Sequence, residues 1–418
     1  MHNTYGANLV IVHGGGPTTV INASLYGAIT EAQKHPEISG IYVAIGGVEG
    51  IFKEKLIDLK QVPAADIQRL PYTPASALGT SRTKLSKEDY ESIIQTLRER
   101  NVKYLLFNGG NGSMDACGKI YELAREYDIN VLGIPKTVDN DIAVTDHSPG
   151  FGSAARYIAA STAEVAEDIK SMPIHVCIIE AMGRNAGWIA ASSALAHQNA
   201  EDAPHLIYVP EREFKPEEFL DDVQNLHDYL GGVVVVVSEG LKDGKGNSIV
   251  PPVLTRGRDV YFGDVGSHLA MLVIKELGIK ARSEKPGILG RASIAYQSAT
   301  DREEAIFAGA YSVGAALKGE TGKMVGFRRV SNHPYMSEPV LIPLAEVMLH
   351  EKKLPDRFIN ERGNGVTEEF IEYCRPLIGE PLPEFANLRQ NSKRILLKQD
   401  NGVSGGDSIP PEVQVNAN

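Results

Sequence analysis

Short runs rich in β-branched residues recur along this chain, and helical stretches separate most of them. The runs are predicted strands, and they cover residues 8–13, 40–45, 104–108, 131–134, 175–180 and 232–239. Predicted helices lie between them, for example over residues 86–100 and 113–127. Such alternation is typical of parallel, doubly wound sheets. The predicted fold class is therefore α/β.

The length of the chain determines how many such sheets to expect. A single core stops growing at about 250–300 residues, whereas this chain has 418 residues, of which 43% are hydrophobic. Two doubly wound, mainly parallel-sheet domains are predicted, with the active site in the cleft between them. We expect the first over residues 1–150, completed by part of 300–355, and the second over 151–300, completed by part of 356–398. The proline-containing, polar end at 399–418 is a predicted flexible tail.

The overall charge argues against two classes of partner. The formal net charge is −11, and the 42 basic residues are scattered along the chain rather than gathered in runs. Such a surface repels nucleic acid and anionic lipid, so neither is an expected partner. The sequence has no apolar stretch of roughly 20 residues and no signal-peptide pattern, which predicts a cytoplasmic protein without a membrane span.

The fold class predicts where ligands bind. In doubly wound sheets they lie beyond the carboxyl ends of the strands. Four segments follow predicted strands and contain glycine or polar residues, namely 13–24, 108–116, 133–142 and 180–191. We therefore expect the chemistry in these loops.

The first two segments have the pattern of phosphate-binding loops. Glycines at 14–16 precede a helix predicted to begin near Thr19, so backbone N–H groups could meet phosphate oxygens at a helix N-terminus. The segment 109–112 repeats this pattern, with Ser113 expected to cap the next helix and to reach a phosphate or a metal-bound water. A tight turn explains one glycine cluster equally well, but two in one domain favour phosphate.

Two other nucleotide motifs are absent or out of context. The pattern GxxxxGK[ST] does not occur, which excludes a P-loop enzyme. Gly150, Gly152 and Ala155 match a loose dinucleotide-binding pattern, but a polar segment precedes them where a strand is required. A nicotinamide site is therefore disfavoured.

The third segment contains the residues best suited to catalysis. Asp139 and Asp141 stand two residues apart beside Lys136 and Thr137. One carboxylate could take a proton from an attacking alcohol while the other helps to hold Mg²⁺, and the lysine could neutralise developing charge. A polar turn is the alternative interpretation, and for the tripeptide DND alone it would be preferred.

Seven short motifs together resemble the phosphofructokinase family in order and approximate spacing, over roughly residues 8–330. They are GGP (15–17), GGNGS (109–113), PKTVDND (135–141), MGRNAGW (182–188), PE (210–211), SEG (238–240) and LGR to TDR (289–302). The sequences at 15–24 and 146–159 most resemble those of the bacterial branch that contains many pyrophosphate-dependent members.

The resemblance implies transfer of a phosphoryl group from ATP or pyrophosphate to the 1-hydroxyl of fructose 6-phosphate. It implies Asp139 as the base, with Arg184 and Lys136 also catalytic. The implied donor-binding residues are Gly15, Gly16, Arg82, Gly110, Asn111, Gly112 and Ser113. The implied sugar-phosphate ligands are Thr137, Asp141, Met182, Gly183, Glu239, Arg291 and Arg302, and the implied Mg²⁺ ligands are Asn111, Asp139 and Asp141. The family also implies a homodimer or homotetramer, since its members share sugar-phosphate sites across subunits.

Three departures from the family pattern bear on these expectations. Asn111 stands where the family has a metal-supporting aspartate, and an amide is a weaker, uncharged ligand. His175 stands where many members have an arginine that crosses to the neighbouring subunit, and the segment 289–302 has two extra residues, which affects the placement of Arg302. A catalytically weak sugar-phosphate sensor is therefore an alternative. Lipid and NAD kinases resemble 109–112 alone and lack the other motifs.

Two residues give opposite indications about the phosphoryl donor. Gly112 resembles the ATP-dependent members, because a missing side chain leaves room for the α-phosphate of ATP. Lys136 resembles the pyrophosphate-dependent members, in which a lysine is usual. A flexible lysine is compatible with a bound nucleotide, so ATP is the predicted donor and pyrophosphate the alternative.

Overall fold

A computed structural model describes residues 7–386 apart from 198, 200, 257 and 258. The strands are β1 Ala7–His13, β2 Ile38–Ala44, β3 Leu56–Asp58, β4 Val102–Gly109, β5 Asn130–Pro135, β6 Val176–Ala181, β7 Leu206–Tyr208, β8 Val233–Ser238, β9 Pro252–Arg256, β10 Asp259–Phe262, β11 Ala281–Glu284, β12 Lys323–Asn332 and β13 Tyr335–Pro343. The α-helices are α1 Ile21–Ala32, α2 Glu49–Phe52, α3 Ala64–Arg69, α4 Lys87–Glu99, α5 Asn111–Ala124, α6 Phe151–Ser171, α7 Trp188–Ser192, α8 Pro216–Leu230, α9 Val265–Leu277, α10 Leu289–Ala292, α11 Ala299–Leu317, α12 Leu344–Val347 and α13 Glu368–Cys374.

Among the described residues, seven strands form the larger sheet in the order β13-β12-β5-β4-β1-β2-β3. The five central strands, from β12 to β2 in this order, are parallel to one another. The edge strands β13 and β3 pair antiparallel with β12 and β2. The sheet therefore takes strands from two distant parts of the chain, 7–135 and 323–343. The β12-β13 hairpin was not among the predicted strands.

The smaller sheet is fully parallel, in the order β11-β6-β8-β7. Its strand β8 includes five consecutive valines that are all completely buried. A strand covered on both faces by helices needs such a continuous apolar run. Both sheets thus have the predicted α/β, mainly parallel character, and the predicted strands agree with the observed ones to within about two residues.

By its contacts the chain divides into a compact unit, Met1–Leu382, and a second unit, Pro383–Asn418. Both sheets belong to the first unit. The predicted tail at 399–418 lies outside the described residues, and the domain boundaries given above stay a prediction. Within the part of the chain that the structure describes, no helix combines the length and the apolarity that crossing a membrane requires.

The N-terminus of α6 is capped from a distant part of the chain. Asp301, in the first turn of α11, accepts hydrogen bonds from the backbone N–H groups of Gly150 (2.8 Å) and Ser153 (2.9 Å) and from the Ser153 hydroxyl. A carboxylate at this place satisfies donors that a helix leaves unpaired. Asp301 thereby fixes the point where the loop after β5 enters α6.

A buried ion-pair network ties the same loop to α11. His147 donates from Nδ1 to Asp146 (2.8 Å) and from Nε2 to Glu304 (2.6 Å), and its ring stacks on Phe327. Burial lowers the pKa of His147, but the carboxylates of Glu304 and Asp146 outweigh this effect and raise the pKa to about 9. The imidazolium form is therefore the one that stabilises the fold.

We expect His147→Asn to lower the free energy of unfolding by about 3 kcal/mol near pH 6, because it leaves the largely buried Glu304 carboxylate without its cation, whereas Asp146 keeps Arg329. A raised folded-state pKa stabilises below the unfolded value of about 6.5, and this contribution is lost as pH rises through about 9. The difference between variant and wild type should therefore shrink near pH 9.5. Urea unfolding followed by the fluorescence of the single tryptophan, Trp188, measures it.

The exposed His268→Asn is the matched control, since it changes the same residue type on the surface of α9. An equal loss of stability for His147→Asn at both pH values would contradict the assignment of charge to His147.

Candidate active site

Loops that follow β1, β4, β5, β6 and β8 line one cavity of about 920 Å³. Three of the segments predicted from the sequence, 13–24, 108–116 and 133–142, reach it from the larger sheet, and 180–191 reaches it from the smaller one. The cavity thus lies at the carboxyl ends of strands in both sheets, where the fold class predicts ligands.

The first glycine loop differs from the prediction. The N–H groups of Gly14 and Gly15 donate to the carbonyl groups of Asn108 (2.8 Å) and Ser81 (3.2 Å), and α1 begins only at Ile21. These two N–H groups are therefore used within the protein rather than presented to an anion. The loop still lines the cavity, and Gly15 adopts a left-handed φ of +74° that favours glycine.

The second glycine loop opens directly into a helix. Gly110 is the N-cap of α5, so Asn111, Gly112 and Ser113 form its first turn and line the cavity. The first N–H groups of a helix have no partner within the helix and attract anions. The N-terminus of α5 therefore faces the cavity, and phosphate binding there stays a prediction.

Ser113 does not cap this helix, contrary to the sequence-based expectation, because it is the third helical residue. It is buried instead between the two glycine loops. A Cβ on Gly14 or on Gly109 would lie 2.3 or 2.1 Å from the Ser113 hydroxyl oxygen. A Cβ on Gly109 would also lie 2.3 Å from the Ser113 Cβ, so glycine is required there, whereas a Cβ on Gly14 would force the Ser113 hydroxyl to rotate away.

Lys136 lies behind the first glycine loop. Its Nζ donates to the carbonyl oxygens of Gly14 (3.0 Å) and Gly16, and the side chain is almost completely buried. Burial, together with the neighbouring Arg82, lowers the pKa of Lys136 to about 7. The ammonium thus holds the loop in shape while it lines the cavity wall.

The two aspartates of the third segment have different surroundings. Asp141 accepts hydrogen bonds from the Thr137 hydroxyl (3.0 Å) and from the Asn111 amide (2.9 Å), one on each carboxylate oxygen. The backbone N–H of Asp139 donates to the Thr137 hydroxyl. The buried Oδ1 of the Asp139 carboxylate has no hydrogen-bond partner. Asp141 is held in place, whereas Asp139 keeps an oxygen available.

The same surroundings prepare Asp139 for proton transfer. Burial raises its pKa to about 7, and the carboxylates of Asp141 and Glu239 add to the effect. Burial also raises the pKa of Asp141, although the hydrogen bond from Thr137 opposes this. A carboxylate with a pKa near neutrality and a free oxygen is well matched to general base catalysis.

The loops after β6 and β8 support each other on the opposite wall. The Ser238 hydroxyl donates to the Gly183 carbonyl (2.6 Å), and the Glu239 N–H donates to the Ala181 carbonyl (3.0 Å). A Cβ on Gly240 would lie 1.7 Å from the Arg184 carbonyl oxygen, so only glycine fits. Packing of these loops places Met182, Arg184 and Glu239 in the cavity lining.

The predicted arginines divide into two groups. Arg82 and Arg291 line the cavity. Their guanidinium groups lie beside Gly16, where a Cβ would be 3.4 Å from a nitrogen of Arg82 and 3.2 Å from one of Arg291. The buried Nε of Arg291 has no hydrogen-bond partner. Arg302 lies outside the cavity lining, where it stacks on Tyr72 at 5.0 Å and donates to Gln297. The structure thus does not bring Arg302 to the site.

The comparisons with known proteins agree with this geometry. The family model described as phosphofructokinase matches residues 8–316. The chain belongs to the phosphofructokinase family.

Individual relatives match over nearly the whole chain. A pyrophosphate–fructose 6-phosphate 1-phosphotransferase of Xanthomonas campestris is 39% identical, covering 91% of this chain and 96% of the relative. A sulfofructose kinase of Alkalicoccus urumqiensis is 36% identical, covering 85% and 92%. A crystal structure of a pyrophosphate-dependent phosphofructokinase from Marinobacter aquaeolei superposes with a TM-score of 0.82 at 39% identity, covering 91% of this chain and 94% of that one.

Family membership implies a divalent metal, and the residues present fit one. Asn111 Oδ1 and Asp139 Oδ1 are buried oxygens without a hydrogen-bond partner, and Asp141 lies beside them. The described residues contain no group of three or more His, Cys, Asp or Glu side chains that could hold a metal. Mg²⁺ commonly uses only one or two carboxylates together with phosphate oxygens and water, so two carboxylates beside a free amide oxygen are compatible with Mg²⁺.

The structure also adds residues that the sequence motifs did not indicate. Lys84, Tyr90, Asp115 and Lys119 line the cavity beyond Gly112. Lys84 follows the GTSR segment by two residues, and Lys119 lies two helical turns into α5, so spacing alone could have indicated both. Tyr90 lies on α4, whose approach to α5 depends on long-range packing.

We expect Asp139→Asn to lower kcat by a factor on the order of 10² to 10⁴ and to leave the KM of the sugar substrate nearly unchanged, as for loss of a general base. Steady-state kinetics of the purified variant measures both values. Asp66→Asn, on the exposed surface of α3, is the matched control. An Asp139→Asn variant that keeps more than half of the wild-type kcat would show that the base is a different residue.

Proposed function

We propose that this protein transfers a phosphoryl group from pyrophosphate to the 1-hydroxyl of fructose 6-phosphate, giving fructose 1,6-bisphosphate and phosphate. The observation that supports this reaction best is the pair of carboxylates at 139 and 141. Asp141 is held by two donors, and Asp139 has a free oxygen and a pKa raised to about 7 by burial. The relatives named above supply the identity of the substrates.

The proposed mechanism uses this difference between the two aspartates. Asp139 takes the proton of the 1-hydroxyl as the sugar oxygen forms a bond to phosphorus, and the bond from phosphorus to the bridging oxygen of pyrophosphate breaks. The departing phosphate takes the negative charge that develops there. Arg184 and the N-terminus of α5 stabilise the charge on the transferring group.

Mg²⁺ is the proposed cofactor, and when bound it neutralises charge on the diphosphate. Asn111, Asp139 and Asp141 would hold it. Asn111 substitutes for a carboxylate at this place, but its amide donates 2.9 Å to Asp141 while leaving its own oxygen free. The amide removes one repulsion from a crowded acidic cluster, which argues against the alternative of a catalytically weak sensor.

Pyrophosphate replaces ATP as the preferred donor, so the prediction made from Gly112 is not supported. Four relatives that cover at least 91% of this chain are named as pyrophosphate-dependent. The space at Gly112 is open, since a Cβ there would meet no atom within 4 Å. An open space permits ATP without selecting it, whereas Lys136 is fixed behind the first glycine loop in the cavity wall and favours a compact, highly charged donor.

A second candidate substrate is a sulfofructose, the sugar that the name of the Alkalicoccus relative gives for that protein. One observation favours it. Of the two arginines expected to bind the 6-phosphate, only Arg291 lines the cavity. A sulfonate has one negative charge and needs fewer cations than a phosphate dianion.

A homodimer or homotetramer and a cytoplasmic location remain proposals. The first rests on the resemblance to family members that share sites across subunits. His175, which stands where many members have an arginine that crosses to the neighbouring subunit, is buried beside β6, and both of its ring nitrogens lack a hydrogen-bond partner within the described residues.

We expect wild-type kcat/KM for pyrophosphate to exceed that for ATP by at least about tenfold, equivalent to about 1.4 kcal/mol of transition-state binding. Initial rates with each donor and fructose 6-phosphate measure the ratio. Gly112→Asp, which puts a like charge into the open space, should reduce any ATP activity more than pyrophosphate activity. Turnover with ATP alone would refute the proposed donor and leave the family assignment intact.

Arg291→Met is expected to raise the KM for fructose 6-phosphate at least about tenfold, because a guanidinium contact to a phosphate dianion is lost. Arg302→Met is the matched control and should change it less than about twofold. Measuring KM for both substrates in both variants makes the test specific. A rise confined to the KM for pyrophosphate would assign Arg291 to the donor, and a larger effect of Arg302→Met would contradict the cavity described here.

A further inference from the structure

The segment 351–352 lies outside the cavity lining and contacts loops from both walls of the cavity. Glu351 pairs as an antiparallel bridge with Ile142, in the loop after β5, and its carboxylate accepts a hydrogen bond from the Asn185 amide at 3.0 Å. The carbonyl group of Lys352 accepts a hydrogen bond from the indole N–H of Trp188 at 3.3 Å. The segment therefore joins the loop of the two aspartates to the loop of Arg184.

Lys352 makes the densest contacts of this segment. Its backbone N–H donates to the Asp141 carbonyl at 2.8 Å. Its Nζ donates to the carbonyl oxygens of Asp146 (2.8 Å) and Thr145 (3.0 Å) and to Asn140 Oδ1 (3.3 Å). An ammonium has three donors, and here each has an acceptor in the same loop.

Asn140 explains why this loop needs an external support. It lies between the two aspartates with a left-handed φ of +51°, a conformation that asparagine adopts more readily than other non-glycine residues but at more cost than glycine. Its amide donates to the Tyr373 hydroxyl at 3.0 Å, and its oxygen accepts from Lys352. Contacts on both sides of the side chain hold the turn that directs its two neighbours into the cavity.

We propose that Lys352 is a positioning residue for phosphoryl transfer. Its ammonium fixes the backbone of residues 140–146 and so sets the orientation of the carboxylates of Asp139 and Asp141, without contact to either substrate. This inference rests on the proposed function, in which these carboxylates do the chemistry. A displacement of about 1 Å in such groups lowers turnover on the order of 10²-fold.

A purely structural role is the competing explanation. The Lys352 ammonium also lies 5.0 Å from the centre of the Trp188 ring, where it stabilises packing. If Lys352 is needed only for stability, its substitution lowers the melting temperature, and the molecules that remain folded keep the wild-type kcat.

The test compares Lys352→Met with Lys353→Met. Methionine keeps an unbranched side chain against Trp188 but removes all three donors, and Lys353 is the exposed neighbour of the same type. Kinetics use whichever donor the wild type accepts. We expect kcat per folded molecule to fall at least about tenfold in Lys352→Met, with the KM of the sugar phosphate changed less than about threefold.

Amide hydrogen exchange gives a readout that does not depend on activity. Peptides covering residues 137–148 should exchange faster in Lys352→Met and as in the wild type in Lys353→Met. Unchanged exchange in these peptides, or a kcat within twofold of the wild type, would overturn the proposal. If Lys352→Met does not fold, Lys352→Gln, which keeps an amide donor, is measured in the same way. A wild type inactive with every donor would refute the proposed function, and the exchange data would still decide the role of Lys352.

Discussion

The repulsion between two half-buried carboxylates is the constraint on which the rest of the site depends. Asp139 and Asp141 share a cavity wall, and burial raises the pKa of each. A cluster of this kind persists only when neighbouring donors and backbone contacts hold it. Thr137 and Asn111 supply donors to Asp141, so the uncompensated negative charge is concentrated on Asp139.

This repulsion explains why an amide is suitable at position 111, where the family pattern has a carboxylate. An aspartate here would add a third carboxylate within reach of Asp141, whereas the amide donates to Asp141 and still offers an oxygen to a cation. Loss of a negative charge at this position is thus accompanied by better order of Asp141. The sequence alone shows only the loss.

Close backbone approach explains why the glycine motifs occur where they do. Gly14 and Gly109 leave room for Ser113, and Gly240 lets the loop after β8 pack against the Arg184 backbone. The reason differs from the phosphate contact expected of the first loop, whose N–H groups at Gly14 and Gly15 bond to the protein. The glycine patterns therefore predicted the position of the cavity correctly. The space left by the missing side chains is, however, partly filled by protein atoms such as the Ser113 side chain.

The sequence by itself determined the fold class, six strands of the two sheets (β1, β2, β4, β5, β6 and β8) and the four loops that meet in the cavity, because periodicity and loop composition are local properties. It missed the three-residue strands β3 and β7, which are too short to show a periodic pattern. It also indicated Asp139 and Asp141, since their spacing is short. Only the tertiary structure separated Arg291 from Arg302, added β12 and β13 to the larger sheet, and brought Lys352 under the catalytic loop. Those decisions depend on contacts between residues about 190 to 275 positions apart, which no local pattern records.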